Sequence, residues 1–236
     1  MMATRTHTPG AMKTKLEDAF KAHLGIDSLT AGQLLASATL QDKAYELRAL
    51  IAVMERLRVF RPTLTFTLVH GTSLKFRAKG GPIDRVAWPY VRIDDNGKAV
   101  GELWVDIECI AISAGHGAKA LKGHLYGKCH ELDIVLVVPG TDGRPEPYEI
   151  YLGVEAKHRA FNKALLKELL GVRREMTMRY GDHVAHDHED WFIWWAPAGL
   201  PAMPPSGLVA FCSSDTIKKY TDPADFWGIH MEHLPF

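Results

Sequence analysis

The chain is poor in cysteine, with three in 236 residues, Cys109, Cys129 and Cys212, and no CxxC pair among them. That argues against a disulfide framework and a structural zinc ribbon. No apolar run reaches transmembrane length and no segment reads as a signal peptide, so the expected compartment is the reducing cytoplasm, with no membrane partner. Neither sign of charge predominates. Lys plus Arg and Asp plus Glu number 28 each, so any surface for a polyanion has to be local. No internal repeat is present. Hydrophobic residues make up 47% and charged residues 24%, which fits a globular chain of one domain with a small appendage.

The informative stretch runs from His130 to Arg159. Glu131–Val138 and Tyr148–Lys157 read as strands, separated by a segment dense in turn residues from Pro139 to Pro145. Leu132, Ile134, Leu136 and Val138 on the first, and Ile150, Leu152, Val154 and Ala156 on the second, form an apolar face that belongs in a core. The odd positions carry Glu131 and Asp133, then Gly153, Glu155 and Lys157. Pairing Val138 with Tyr148 puts Asp133 opposite Gly153 and diagonal to Glu155. Paired strands lie about 5 Å apart, so the two carboxylates and the ammonium would share a patch fit for one or two metal ions, with room left by Gly153.

An Asp, a spacer and then Glu-x-Lys at a strand end resembles the PD-(D/E)XK phosphodiesterase superfamily, which includes many restriction and repair nucleases. The matching residues are Asp133, Glu155 and Lys157, while Leu132 stands where the family's Pro would precede the Asp. The resemblance spans roughly residues 41–196, with its motif confined to 130–160. It implies an α/β fold with a restriction endonuclease-like αβββαβ core, a central mixed sheet flanked by helices, here with an inserted β-hairpin. Residues 1–40 would form an N-terminal helical extension and 41–236 the nuclease-like domain.

The rest of the chain supplies the other parts. Gln41–Phe60 has the strongest helical pattern, with Leu47, Leu50, Ile51, Met54 and Leu57 in phase and Pro62 preventing continuation. By family analogy its Glu46 would face the metal site; the alternative is a solvated Glu paired with Lys43 or lying beside Arg48. Thr63–Phe76 fits a first core strand with a bend at Gly71. Tyr90–Ile93 and Val100–Ile112 form a hairpin across Asp94-Asp95-Asn96-Gly97. Its Asp106 and Glu108 either extend the acidic site or merely alternate on a half-exposed strand. Phe161–Tyr180 is a second helix with Leu165, Leu169, Val172 and Met176 as its apolar stripe. Its Lys163, Lys167, Arg173 and Arg174 are candidates for phosphate contact, against the alternative of a solvated basic face. Lys119, Lys122 and Lys128 in the preceding loop are further candidates. His183, His186 and His188 could bind zinc, or belong to a polar loop before the Trp191–Ala196 strand. Gly207–Cys212 reads as a final strand and Asp215–Tyr220 as a short helix.

The expectation is a nuclease dependent on Mg²⁺ or Mn²⁺ that hydrolyses phosphodiester bonds of nucleic acid, DNA rather than RNA. Asp133, Glu155 and the Ala156 carbonyl would hold the ion, with Lys157 and Glu46 completing the catalytic set. A role in defence against foreign DNA, and action as a homodimer or with a partner protein, are compatible with the family. The alternatives are a silent nuclease-fold module that binds nucleic acid or protein, and an unrelated α/β protein in which these charges only solvate a strand edge.

Overall fold

Helix α1, Ala38–Phe60, lies against a sheet, because its apolar positions recur at helical spacing and nearly all become core. The structure is a computed structural model that describes residues 38–71, 74–77, 79–114, 127–179 and 202–236. The expected N-terminal helices, Lys119 and Lys122, the His183/His186/His188 stretch and the Trp191–Ala196 strand lie outside the described residues.

After α1 come β1 (Leu64–Val69), β2 (Tyr90–Asp95), β3 (Lys98–Ile110), β4 (Cys129–Val137) and β5 (Ile150–Lys157), joined as a continuous antiparallel meander. Helix α2 (Lys163–Met176) follows β5. A small β6–β7 pair (Met178–Arg179 with Ala202–Met203) precedes β8 (Gly207–Cys212). Strand β8 pairs parallel with β5. A 3₁₀ turn (Asp215–Tyr220) and the short α3 (Thr221–Phe226) lead to β9 (Ile229–His233), parallel to β8. The result is one mixed sheet of seven strands in the order β1-β2-β3-β4-β5-β8-β9, with helices on its faces.

The hairpin expected as an insertion is instead built into this sheet. Strand β1 pairs with β2, and β3 with β4, so β2 and β3 stand between the first strand and the key strand. The Asn96-Gly97 turn was legible: both residues have positive φ, 49° and 81°, as a two-residue hairpin connection with the twist of its strands requires. Gly207–Cys212 is not the final strand, since Ile229–His233 follows it as a further ladder strand at the sheet edge.

Two apolar layers sandwich the sheet. Beneath α1 lie Leu103, Val105, Ile134, Leu136, Leu152, Val154, Ala156, Val209 and Phe211. Beneath α2 and α3 lie Trp104, Ile107, Leu132, Val135, Val137, Leu208, Ala210 and Cys212. Both faces of β4 and β5 therefore contribute to the core, and the odd positions Val135 and Val137 are core too. Leu132 departs from the even pattern and joins the α2 layer. So does Ile150. The missing side chain of Gly153 leaves space for Leu132 and Met176, each 3.0 Å from where a Cβ would stand, and not for a ligand.

Candidate active site

The acidic residues gather where β4 and β5 part. Ile134 pairs with Val154 and Leu136 with Leu152, so continuing the ladder sets Asp133 level with Glu155 and not with Gly153. This register lies two residues from the expected one, an even shift that keeps every side chain on its face. Past Ile134 the ladder ends. The next β5 donor, the Ala156 N–H, goes to Asp133 Oδ2 at 2.7 Å, so a side chain replaces a strand carbonyl.

A second irregularity sits beside it. Val105 pairs with Ile134 and Ile107 with Leu132, which sets Asp106 level with Asp133. Residues two apart on a strand normally share a face. Here Val105 and Ile134 lie beneath α1, whereas Ile107 and Leu132 lie beneath α2. Both strands turn over at this step, and Asp106 has a left-handed φ of 55°, which Asp tolerates better than most residues. Asp106 is fully buried. Its Oδ2 accepts from the Arg77 N–H at 2.8 Å and its Oδ1 from Lys43 Nζ at 2.5 Å.

Lys43 also donates to Glu46 Oε2 at 2.8 Å. Glu46 does form the expected pair with Lys43, but it is not solvated: it is buried beneath the helix. Burial, and then the charge of Asp133, push its carboxyl up to about 8, against the opposing pull of Lys43. On the other side of Asp133, Lys157 Nζ lies 2.6 Å from Glu155 Oε2, 3.7 Å from Asp133 Oδ2 and 3.7 Å from Glu168 Oε1 on α2. Burial pulls the Lys157 ammonium down, but Glu155 and Asp133 together hold it above the ordinary lysine range. Glu155 is raised by burial and by Asp133. The two directions agree with the count of charges. One ammonium faces three carboxylates and keeps its proton, while Glu155, the buried one among them, is driven towards taking one.

Neighbouring segments hold Lys157 and its surroundings in place. Its carbonyl accepts from the Ser213 N–H at 3.1 Å. The next residue, His158, packs its ring against Tyr45 of α1 and Phe236, with centroids 5.4 and 4.5 Å away. The Tyr45 hydroxyl donates to the Leu234 carbonyl at 2.9 Å.

The structure thus brings Glu46, Asp133, Glu155 and Lys157 together and adds Lys43 and Asp106. Glu108, the other acidic residue in question on β3, pairs instead with Arg144 at 2.7 Å. The donors fit a hard divalent cation. They are carboxylate oxygens, from Glu46, Asp106, Asp133 and Glu155, set beside the ammonium groups of Lys43 and Lys157. As the side chains stand, no three His, Cys, Asp or Glu among the described residues converge closely enough to hold an ion; Lys43 is bonded to Glu46 and Asp106, and Lys157 to Glu155.

On α2, Lys163, Lys167 and Arg174 are exposed. At about 100° per residue they fall within about 40° of one another on the helix surface. Arg173 does not join them. It is only 4% exposed, and it donates from Nε to the Trp227 carbonyl at 3.1 Å and from Nη1 to Ser206 Oγ at 3.2 Å. Its spacing of four from Leu169 and eight from Leu165 already placed it on the apolar stripe. No described helix is long and apolar enough to cross a membrane. Comparison with protein-family models, curated proteins and solved structures finds no match for this chain.

Proposed function

We propose that the chain is a metal-dependent nuclease of the PD-(D/E)XK type, acting on DNA. The observation that carries this reading is the junction at Asp133, where a helix carboxylate (Glu46), a strand carboxylate and a Glu-x-Lys pair meet at diverging strand ends. The element order supports it: a helix, an antiparallel meander, then a helix leading to a strand parallel to the last of the meander.

Asp133, Glu155 and the Ala156 carbonyl would hold Mg²⁺ or Mn²⁺. When bound, such an ion polarises the scissile phosphate and lowers the pKa of a coordinated water. Lys157, held protonated by its carboxylates, acts as a fixed positive charge and not as a base. It orients the attacking water and stabilises the charge that builds on phosphate as the new P–O bond forms and the bond to the leaving oxygen breaks. The exposed basic face of α2 gives the nucleic-acid backbone a place to lie.

One observation favours a second reading, a nuclease-fold module without activity: Glu155 is already engaged by Lys157 at 2.6 Å. The same experiment separates the two. Plasmid, linear DNA and RNA are incubated with Mg²⁺ or Mn²⁺ and the parent, Lys157→Ala or Asp133→Ala. Cutting of DNA by the parent alone supports the nuclease. Mn²⁺ bound by the parent without cutting supports the silent module. Cutting that survives both substitutions removes the site.

A further inference from the structure

We propose that Lys43 is a built-in cation of this site, its ammonium standing where a second divalent ion would otherwise be held, so that the site takes one divalent cation and not two. This rests on the nuclease reading above. Lys43 Nζ reaches Glu46 Oε2 at 2.8 Å and Asp106 Oδ1 at 2.5 Å. The side chains of both carboxylates are almost wholly removed from solvent, and the side chain of Lys43 itself retains 19% of its exposure. The second oxygen of Asp106 accepts from the Arg77 N–H, so each oxygen of Asp106 is held by one donor.

An isolated buried ion pair is a poor source of stability, since desolvating two charges costs about as much as their attraction returns. The arrangement around Lys43 goes beyond a pair. A single ammonium bridges two carboxylates from different elements, and the charge of Asp133 reaches one of them. That is the task a bridging metal ion performs: cancelling the repulsion of converging carboxylates beside the reacting phosphate. An ammonium does so with a compact charge that cannot dissociate or be chelated. Lys43 is therefore a positioning residue, setting the charge and the spacing of Glu46 and Asp106.

The test is metal stoichiometry in place of turnover. Mn²⁺ binding is counted by electron paramagnetic resonance for the folded parent, Lys43→Met, which keeps the stem without the charge, and Lys43→Met with Asp106→Asn. The expected counts are one, two and one per chain. One in both parent and Lys43→Met, or two in the parent, overturns the proposal. A parent that binds none overturns the nuclease reading itself, a distinct result. Should Lys43→Met not fold, anomalous scattering from Mn²⁺-soaked crystals of the parent decides. A single peak near Asp133 and Glu155, with none between Glu46 and Asp106, is the expected result; a peak between those two overturns the proposal.

Discussion

Asp106 of β3 stands level with Asp133 of β4, at the step where both strands turn their side chains from one face of the sheet to the other. Asp106 looks towards α1 through Lys43, and Asp133 holds the Ala156 N–H of β5. The turnover is what lets carboxylates from a helix and three strands share one place. A regular ladder would have buried these positions beneath one helix or the other.

Asp106 should therefore be costly to remove. Asp106→Ala loses two hydrogen bonds, leaves Lys43 half-paired, and puts alanine at a φ of 55°. Breaking a buried pair on one side costs about 3–5 kcal/mol. Asp106→Asn keeps a residue that accepts left-handed φ and can still take the Arg77 N–H, so its loss should be clearly smaller. Urea denaturation of the three proteins checks this. Equal destabilisation by both substitutions would remove the special role given to the backbone here.

Lys157 is assigned to charge stabilisation, so its loss should fall on turnover. Lys157→Met is expected to lower kcat by about 10²- to 10³-fold, the usual effect of losing one preorganised charge. Nucleic-acid affinity should stay within about threefold, because phosphate contacts elsewhere dominate binding. A parallel fall in affinity and kcat would return Lys157 to a binding role.

Much of this site was legible in the sequence, and the omissions have physical causes. Asp133, Glu155 and Lys157 could be grouped, as they lie in the structure, because alternation sorts strand residues by face without knowledge of register. The register itself, off by two, was beyond that logic, since every even shift preserves the faces. Glu46 was placed by its helix face and lies at the site. Asp106 was left ambiguous because a left-handed residue inside a strand leaves no periodic trace. Lys43 read as a surface partner of Glu46, since nothing in an i,i+3 pair reports that a third carboxylate will approach from 63 residues away. Gly153 looked like room for a ligand, but the space belongs to Leu132 and Met176. The hairpin was recognised and its place in the sheet was not, because turn chemistry fixes a hairpin's own pairing and says nothing of its neighbours.

His130 supplies a pH dependence apart from the site. Burial pushes its ring down to about 4, opposed by Glu175, and neither buried ring nitrogen has a hydrogen-bond partner. An unfolded chain takes up this proton near pH 6.5 and the folded chain only near 4, so the unfolded state binds more protons between them. Stability from this residue is full above about pH 6.5 and is lost as pH falls towards 4, by about 3 kcal/mol in all. In urea denaturation at pH 7 and pH 4.5, His130→Phe should lose less stability than the parent on acidification. An equal loss in both would mean that His130 is charged in the fold.

The basic residues of α2 separate by role. Lys163, Lys167 and Arg174 are exposed and share a face, so each replacement by Gln should weaken binding to any DNA sequence to a similar extent. Each should also reduce the slope of log affinity against log salt by about one. Arg173 is buried on Trp227 and Ser206. Arg173→Gln should leave the salt slope unchanged while lowering the melting temperature, since buried acceptors lose a charged donor. Fluorescence anisotropy over a salt series, run beside thermal melts, measures both. A salt slope that falls for Arg173→Gln and holds for the other three would place the phosphate-binding face on the opposite side of the helix.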